Sequence, residues 1–126
     1  MLQLYHVRNG KARPLTPDTV AEVGDSILLA HRDEEPPFVI QNQDLNLHIL
    51  VISPIGTIVD SENINLSDTG PRKMYSFPIL PSLYSGAYIF QIDGDLSIRN
   101  QVFIKTEKRL INYMLLYYGV NFLNPN

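Results

Sequence analysis

The chain has 126 residues, 44% of them hydrophobic and 18% charged, with a net charge of −3 and no cysteine. This length and composition predict one globular domain with a substantial core, and they exclude a disordered chain, a disulfide framework and a cysteine nucleophile. The 10 basic residues are scattered along the sequence, whereas duplex nucleic acid requires a clustered basic surface. We therefore expect no nucleic-acid partner. No apolar run approaches the length of a bilayer span, so we expect no membrane-spanning segment either.

The first residues predict a β-hairpin. Asn9-Gly10 separates an alternating apolar run from a second strand-like run, and this dipeptide between such runs is the strongest short-range hairpin signal. Pro14 and Pro17 place the second arm at a sheet edge or in a link, because proline cannot donate to a β-ladder. Gly24-Asp25 then turns the chain into another alternating strand, which is expected to end near His31.

The clearest strand pattern is in the middle of the chain. Apolar residues occupy alternate positions over 45–51, the period of a sheet with one buried face. Proline and glycine at 53–56 predict a turn, after which 57–59 returns as a strand. A polar loop is expected over 60–73.

The last strands form an expected antiparallel pair. A glycine turn at 85–86 opens an apolar strand over 87–92, and Asp93-Gly94 predicts a second tight hairpin. The returning strand covers 96–104.

The residues from Thr106 onward predict a C-terminal helix. Thr106 can cap it, Glu107 lies at its positive end and Gly119 can end it. Such a helix would be apolar on two stripes, and docking on the sandwich buries only one of them, so the other is expected to contact a partner. The competing interpretation is a last β-strand, in which apolar and aromatic residues alternate at Tyr113, Leu115 and Tyr117.

We therefore divide the chain into a sandwich with its N-terminal hairpin, 1–105, and an apolar C-terminal helix and tail, 106–126. The predicted interface consists of the apolar and aromatic side chains of that tail: Leu110, Ile111, Tyr113, Met114, Leu115, Tyr117, Tyr118 and Phe122.

Three local patterns resemble an immunoglobulin-like β-sandwich of the macroglobulin-type or bacterial kind. The segment 20–29 resembles the approach to strand B, 47–59 resembles a strand, Pro-x-Gly turn, strand hairpin, and Gly86-x-Tyr88-x-Phe90 is similar to the Gly-x-Tyr-x-Cys pattern of strand F. The resemblance implies an all-β, Ig-like antiparallel β-sandwich over about 20–105, with Tyr88 as a tyrosine corner whose hydroxyl bonds to the upstream backbone. The chain departs from the pattern in having no cysteine pair and no tryptophan.

The sequence contains no recognisable catalytic constellation, and we expect no enzymatic activity, no cofactor and no metal. The histidines lie on different predicted strands without the spacing of metal ligands: His6, His31 and His48. No Gly-x-Ser-x-Gly elbow is present. Two acidic clusters each have too few oxygen ligands for calcium: Asp33 to Glu35, and Asp93 with Asp95.

Two groups of residues leave ligand binding open. Three basic residues flank the hairpin turn and are interpreted as a solvated tip, with phosphate contact as the alternative: Arg8, Lys11 and Arg13. Three tyrosines lie close in sequence and are expected to pack in the core or at its rim rather than to form a sugar-stacking platform: Tyr75, Tyr84 and Tyr88.

These observations predict a non-enzymatic structural or assembly module, a homo-oligomer or part of a larger assembly, that binds protein partners through its apolar tail. The chain begins at a methionine without a secretory signal, so we expect cytoplasmic synthesis without Sec export. A domain of this kind with an assembly tail is typical of bacteriophage virion parts, such as a capsid decoration, a head-to-tail connector or a tail accessory. The alternative is a carbohydrate- or peptide-binding sandwich module.

Overall fold

The computed structural model describes residues 2–31, 45–66 and 75–109, except for the side chains of His31 and Leu66. Over these ranges the chain forms nine strands: β1 (Leu2–Arg8), β2 (Lys11–Pro14), β3 (Val20–Glu22), β4 (Ser26–His31), β5 (Leu45–Ile52), β6 (Ile58–Leu66), β7 (Ser76–Pro78), β8 (Gly86–Gly94) and β9 (Ile98–Lys105). No helix is present among these residues, and the predicted all-β class is confirmed. The predicted C-terminal helix lies outside the described residues.

The strands form two sheets that pack together as a sandwich. The first sheet has the order β2-β1-β4-β7 and the second the order β3-β9-β8-β5-β6. The expectation of a wholly antiparallel sandwich is wrong at one pair, because β3 runs parallel to β9. After β3, the turn at Val23–Asp25 takes the chain from the second sheet into β4 of the first.

The core lies between the inner faces of the two sheets. One aromatic pair joins them directly, since Phe77 of β7 meets Phe90 of β8 edge to face with 5.4 Å between ring centroids. The other fully buried large side chains come from alternate positions of the strands around this pair: Tyr88, Ile27, Leu29, Ile49, Ile92, Ile104, Val51 and Val102, with Ile79 after β7. Each apolar side chain of this size stabilises the fold by about 1.5–3 kcal/mol when it is fully buried.

The N-terminal hairpin is confirmed. Asn9 and Gly10 both have positive φ, 52° and 75°, as a type I′ turn requires. The register places Arg8 opposite Lys11 and His6 opposite Arg13. As predicted, β2 is an edge strand.

The predicted polar loop from residue 60 is wrong over its first part, because β6 continues to Leu66. The register pairs Ile49 with Glu62 and Val51 with Asp60, so both acids point toward the side of the sheet that carries the core. The Asp60 carboxylate accepts a hydrogen bond from the Tyr75 hydroxyl. β6 is the edge of its sheet, and inward-pointing charges at an edge disfavour pairing with another chain.

The β8–β9 pair is confirmed, but its connection is wider than the predicted tight turn. β8 ends at Gly94 and β9 begins at Ile98. Gly94 has φ +111°, and a Cβ there would lie 2.3 Å from the Asn46 carbonyl oxygen. Asp95 accepts a 2.8 Å hydrogen bond from the Asn46 backbone N–H. The connection is therefore packed against the start of β5.

We expect Gly94→Ala to destabilise the protein more than Gly56→Ala. Both glycines have positive φ, but a Cβ at Gly56 would meet nothing within 4 Å. Since strain from φ is common to both, the difference reports the clash with β5, about 1–3 kcal/mol. Urea unfolding of both variants measures it. Equal losses of stability would show that β5 moves away without cost.

Candidate functional sites

The predicted interface residues, Leu110 to Phe122, all lie outside the described residues. Hydrogen bonds fix the chain just before these residues. The Thr106 hydroxyl is buried and donates a 2.6 Å hydrogen bond to the Leu83 carbonyl, and the Ser85 N–H donates a 2.8 Å bond to the Lys108 carbonyl. The packed body therefore extends to Lys108, past the expected end of the sandwich at residue 105.

The outer face of the five-stranded sheet has a polar half. His48 Nδ1 lies 2.7 Å from Asn63 Oδ1, across the β5–β6 pair. On β8 and β9, Arg99 donates to the Gln91 side chain, which in turn donates to Asp93. These outward polar side chains hydrogen-bond to one another along the strands.

The other half of the same face is apolar. Its residues form two short rows: Ile58 lies opposite Ile52 and Ile52 opposite Ile89, while Phe103 lies opposite Ala87 and Val20 beside Phe103. The rows meet at Ala87 and Ile89, which lie on the same face of β8, and the exposed Gln101 lies opposite Ile89 on β9. Ile58 is 62% exposed, Phe103 49% and Val20 41%. We call this set, Val20, Ile52, Ile58, Ala87, Ile89 and Phe103, the apolar half-face.

An apolar half-face of this kind has functional meaning because its members are contiguous. Single exposed apolar side chains are ordinary, whereas contiguous patches mark interaction surfaces. The sequence contained a signal for it in runs such as Leu50-Val51-Ile52 and Ile89-Phe90, which are apolar at inward and outward positions alike. This signal is not sufficient to predict the half-face, because only the register between distant strands brings the outward residues together.

A buried carboxylate organises the base of the N-terminal hairpin. Asp25 is 6% exposed and accepts 2.8 and 3.1 Å hydrogen bonds from the Arg8 guanidinium and a 2.9 Å bond from the Glu22 N–H. His6 Nε2 lies 2.8 Å from the same carboxylate. Burial opposes ionisation of Asp25, but the hydrogen bonds from Arg8, His6 and Glu22 outweigh it and hold the pKa of the carboxyl well below its usual range.

Sequence spacing did not indicate this cluster. His6 has no acidic residue at a ligand-like spacing in the sequence, yet the β1–β4 pairing places Asp25 beside it. The same ion pair raises the pKa of Arg8.

An open cleft of about 900 Å³ lies against this cluster. It is lined by the hairpin and by the connection from β2 to β3: His6, Arg8, Asn9, Lys11, Arg13, Pro14, Thr16, Thr19 and Val20. The prediction of a solvated basic tip is wrong for Arg8, which is paired with Asp25. The side chains of Lys11 and Arg13 are exposed and make no ion pair with another described residue.

The remaining predicted ligands have structural roles or no described position. Tyr75 and Tyr88 are buried, as expected, and the Lys108 ammonium lies 4.3 Å from the Tyr84 ring centroid. Asp93 accepts a hydrogen bond from the Gln91 side chain, and Asp95 accepts one from the Asn46 backbone N–H. In the described part of the chain no three His, Asp or Glu side chains are placed to hold a metal ion, and no helix is long and apolar enough to cross a bilayer. The predicted acidic loop at 33–35 lies outside the described residues.

A scan of protein-family models and a search of curated proteins found no match to this sequence. The function of the chain is therefore inferred from the geometry of the apolar half-face and of the hairpin cleft.

We expect acid to destabilise the protein through Asp25. Its pKa is lower in the folded than in the unfolded state, so the unfolded chain takes up the proton first. The stability contributed by this carboxylate is complete above its unfolded pKa, about 3.9, and is lost as the pH falls from there toward the lower folded value. Asp25→Asn should cost about 2–4 kcal/mol at pH 7 and flatten the acid dependence. Urea unfolding between pH 2.5 and 7 measures both effects.

Asp18→Asn is the matched control, because Asp18 is exposed and its carboxylate makes no ion pair with another described residue. Its stability at pH 7 should stay within about 0.5 kcal/mol of the parent. An Asp25→Asn protein as stable as the parent at pH 7 would contradict the role given to this carboxylate.

Proposed function

We propose that the chain is a non-enzymatic assembly module on an immunoglobulin-like sandwich, and that its apolar half-face binds the C-terminal segment of another copy. The observation that carries the proposal is the pair of adjoining apolar rows on the outer face of the second sheet, Val20-Phe103-Ala87 and Ile89-Ile52-Ile58. An exposed surface of this kind has a partner in most soluble proteins.

Two observations support the immunoglobulin-like assignment. If β1, β4 and β7 are strands A, B and E, and β5, β6, β8 and β9 are C, C′, F and G, the sheet orders become A-B-E and G-F-C-C′, as in variable-type domains. Tyr88 lies near the start of β8, two residues before Phe90, and its buried hydroxyl donates a 2.7 Å hydrogen bond to the Tyr84 carbonyl. This is the bond that a tyrosine corner makes.

The C-terminal segment, 110–126, fits the half-face as its occupant. It is the most continuously apolar part of the sequence after the core strands. It begins a few residues after β9, and Phe103 lies near the end of that strand. Burial of about 300 Å² of apolar surface contributes on the order of 7 kcal/mol before the costs of association. A face of one copy joined to the tail of the next is a heterologous contact, which produces rings or filaments.

Such many-copy assembly is the basis for proposing a bacteriophage virion component, such as a capsid decoration, a head-to-tail connector or a tail accessory. A small sandwich that repeats through one face and one tail is suited to covering or joining a symmetric particle.

Light scattering over a concentration series tests the assembly. We expect the full chain to form species larger than a monomer, and a chain ending at Arg109 to be a folded monomer. The double variant Ile58→Ser, Phe103→Ser should also be monomeric, because it removes the most exposed apolar side chains of the half-face. Leu80→Ser is the matched control, since Leu80 is 50% exposed but is not part of the half-face; this variant should assemble like the parent.

A synthetic peptide of residues 110–126 tests whether the tail segment binds the half-face, and the mass from light scattering then distinguishes a neighbour's tail from the chain's own. We expect it to bind the chain ending at Arg109 and to lose at least tenfold in affinity for the Ile58→Ser, Phe103→Ser version of that chain. Monomeric full-length protein at high concentration, together with a peptide that does not bind, would refute the proposal.

A further inference from the structure

The inner face of the N-terminal hairpin concentrates positive charge. His6 and Arg8 continue the inward-facing positions of β1 beyond the core residues Leu2 and Leu4. Arg13 and Lys11 lie directly opposite them on β2, so all four side chains belong to one face of the hairpin. Like charges directly opposite each other across two strands destabilise a hairpin. Arg8 and Lys11 are such a pair, but Asp25 already neutralises Arg8, so the charge left for an anion is that of Lys11 and Arg13.

Two acids compensate part of this charge. The Asp25 carboxylate is occupied by Arg8 and His6, and Glu22 lies 3.7 Å from the Arg8 guanidinium. Lys11 and Arg13 line the cleft with no ion pair to any described residue. The cleft is locally positive on a chain whose net charge is −3.

The cleft is also partly preorganised. Arg8 is held in place by its bonds to Asp25 and by a 3.3 Å bond from Nη2 to the Val20 carbonyl. On the opposite wall, the hydroxyls of Thr16 and Thr19 lie 3.2 Å apart, so only one of them needs to donate to the other and a hydroxyl hydrogen is left for a ligand. These contacts fix the surroundings of the site, whereas the exposed side chains of Lys11 and Arg13 become ordered when the ligand binds.

We propose that this hairpin cleft binds a phosphate group. A tetrahedral oxyanion accepts hydrogen bonds on several sides at once, which matches one ammonium, one free guanidinium and a hydroxyl that converge from two walls. The volume of about 900 Å³ exceeds what a bare phosphate needs, so the cleft accommodates the phosphate of a small phosphorylated molecule as well. The cleft shares Val20 with the apolar half-face, but the groups proposed to bind the phosphate, on Lys11, Arg13 and a threonine, are not part of that face.

NMR titration of ¹⁵N-labelled full-length protein tests the site, with inorganic phosphate and ribose 5-phosphate as separate probes at constant ionic strength. We expect saturable shifts of the Gly10 and Thr19 amides and their neighbours. Lys11→Gln, Arg13→Gln should weaken binding at least fivefold. Both side chains are exposed, so the variant is expected to keep its fold, which its spectrum verifies. Arg99→Gln, on β9 and outside the cleft, is the matched control and should bind like the parent.

Tighter binding of ribose 5-phosphate would identify a phosphorylated small molecule as the ligand, and equal affinity would identify the free anion; either supports the site. Shifts that spread over all basic residues, that do not saturate, or that persist unchanged in Lys11→Gln, Arg13→Gln would overturn it.

Discussion

The two sheets are held together by a single layer of interdigitating apolar side chains, centred on the contact between Phe77 and Phe90. Because side chains alternate along a strand, each strand can contribute only every second residue to this layer. The remaining positions must face solvent, another molecule or the margin of the core. The half-face, the edge strand and the hairpin cleft are each a consequence of how those remaining positions are filled.

At the margin of the core, inward-facing positions become polar and need partners. Asp60 on β6 receives the Tyr75 hydroxyl, and burial together with the hydrogen bond to Asp60 raises the pKa of that tyrosine. At the hairpin, Asp25 receives Arg8 and His6. Both margins have a carboxylate that is satisfied by groups from another part of the sandwich, since an unpaired buried charge would cost several kcal/mol.

The outer face of the five-stranded sheet is unequal in composition along its strands. The polar side chains of one half hydrogen-bond to one another, as Arg99 does to Gln91, whereas the half that contains Ile58 and Phe103 exposes mainly apolar side chains, with Gln101 beside them. A sheet that needed only to be solvated would be polar along its whole length. The asymmetry is the reason for assigning a partner to one half.

The sequence by itself determined the all-β class, the Asn9-Gly10 hairpin and the strands with one buried face, because turn residues and the period of two act over a few neighbouring residues. Sequence patterns predicted a loop where β6 continues, because the acids at positions 60 and 62 hide the strand pattern. They also gave no relation between His6, Arg8 and Asp25. Only the tertiary structure decided those, together with the parallel pairing of β3 with β9 and the apolar half-face. Each depends on the register and order of strands that are distant in the chain, and no local pattern encodes which strands become neighbours.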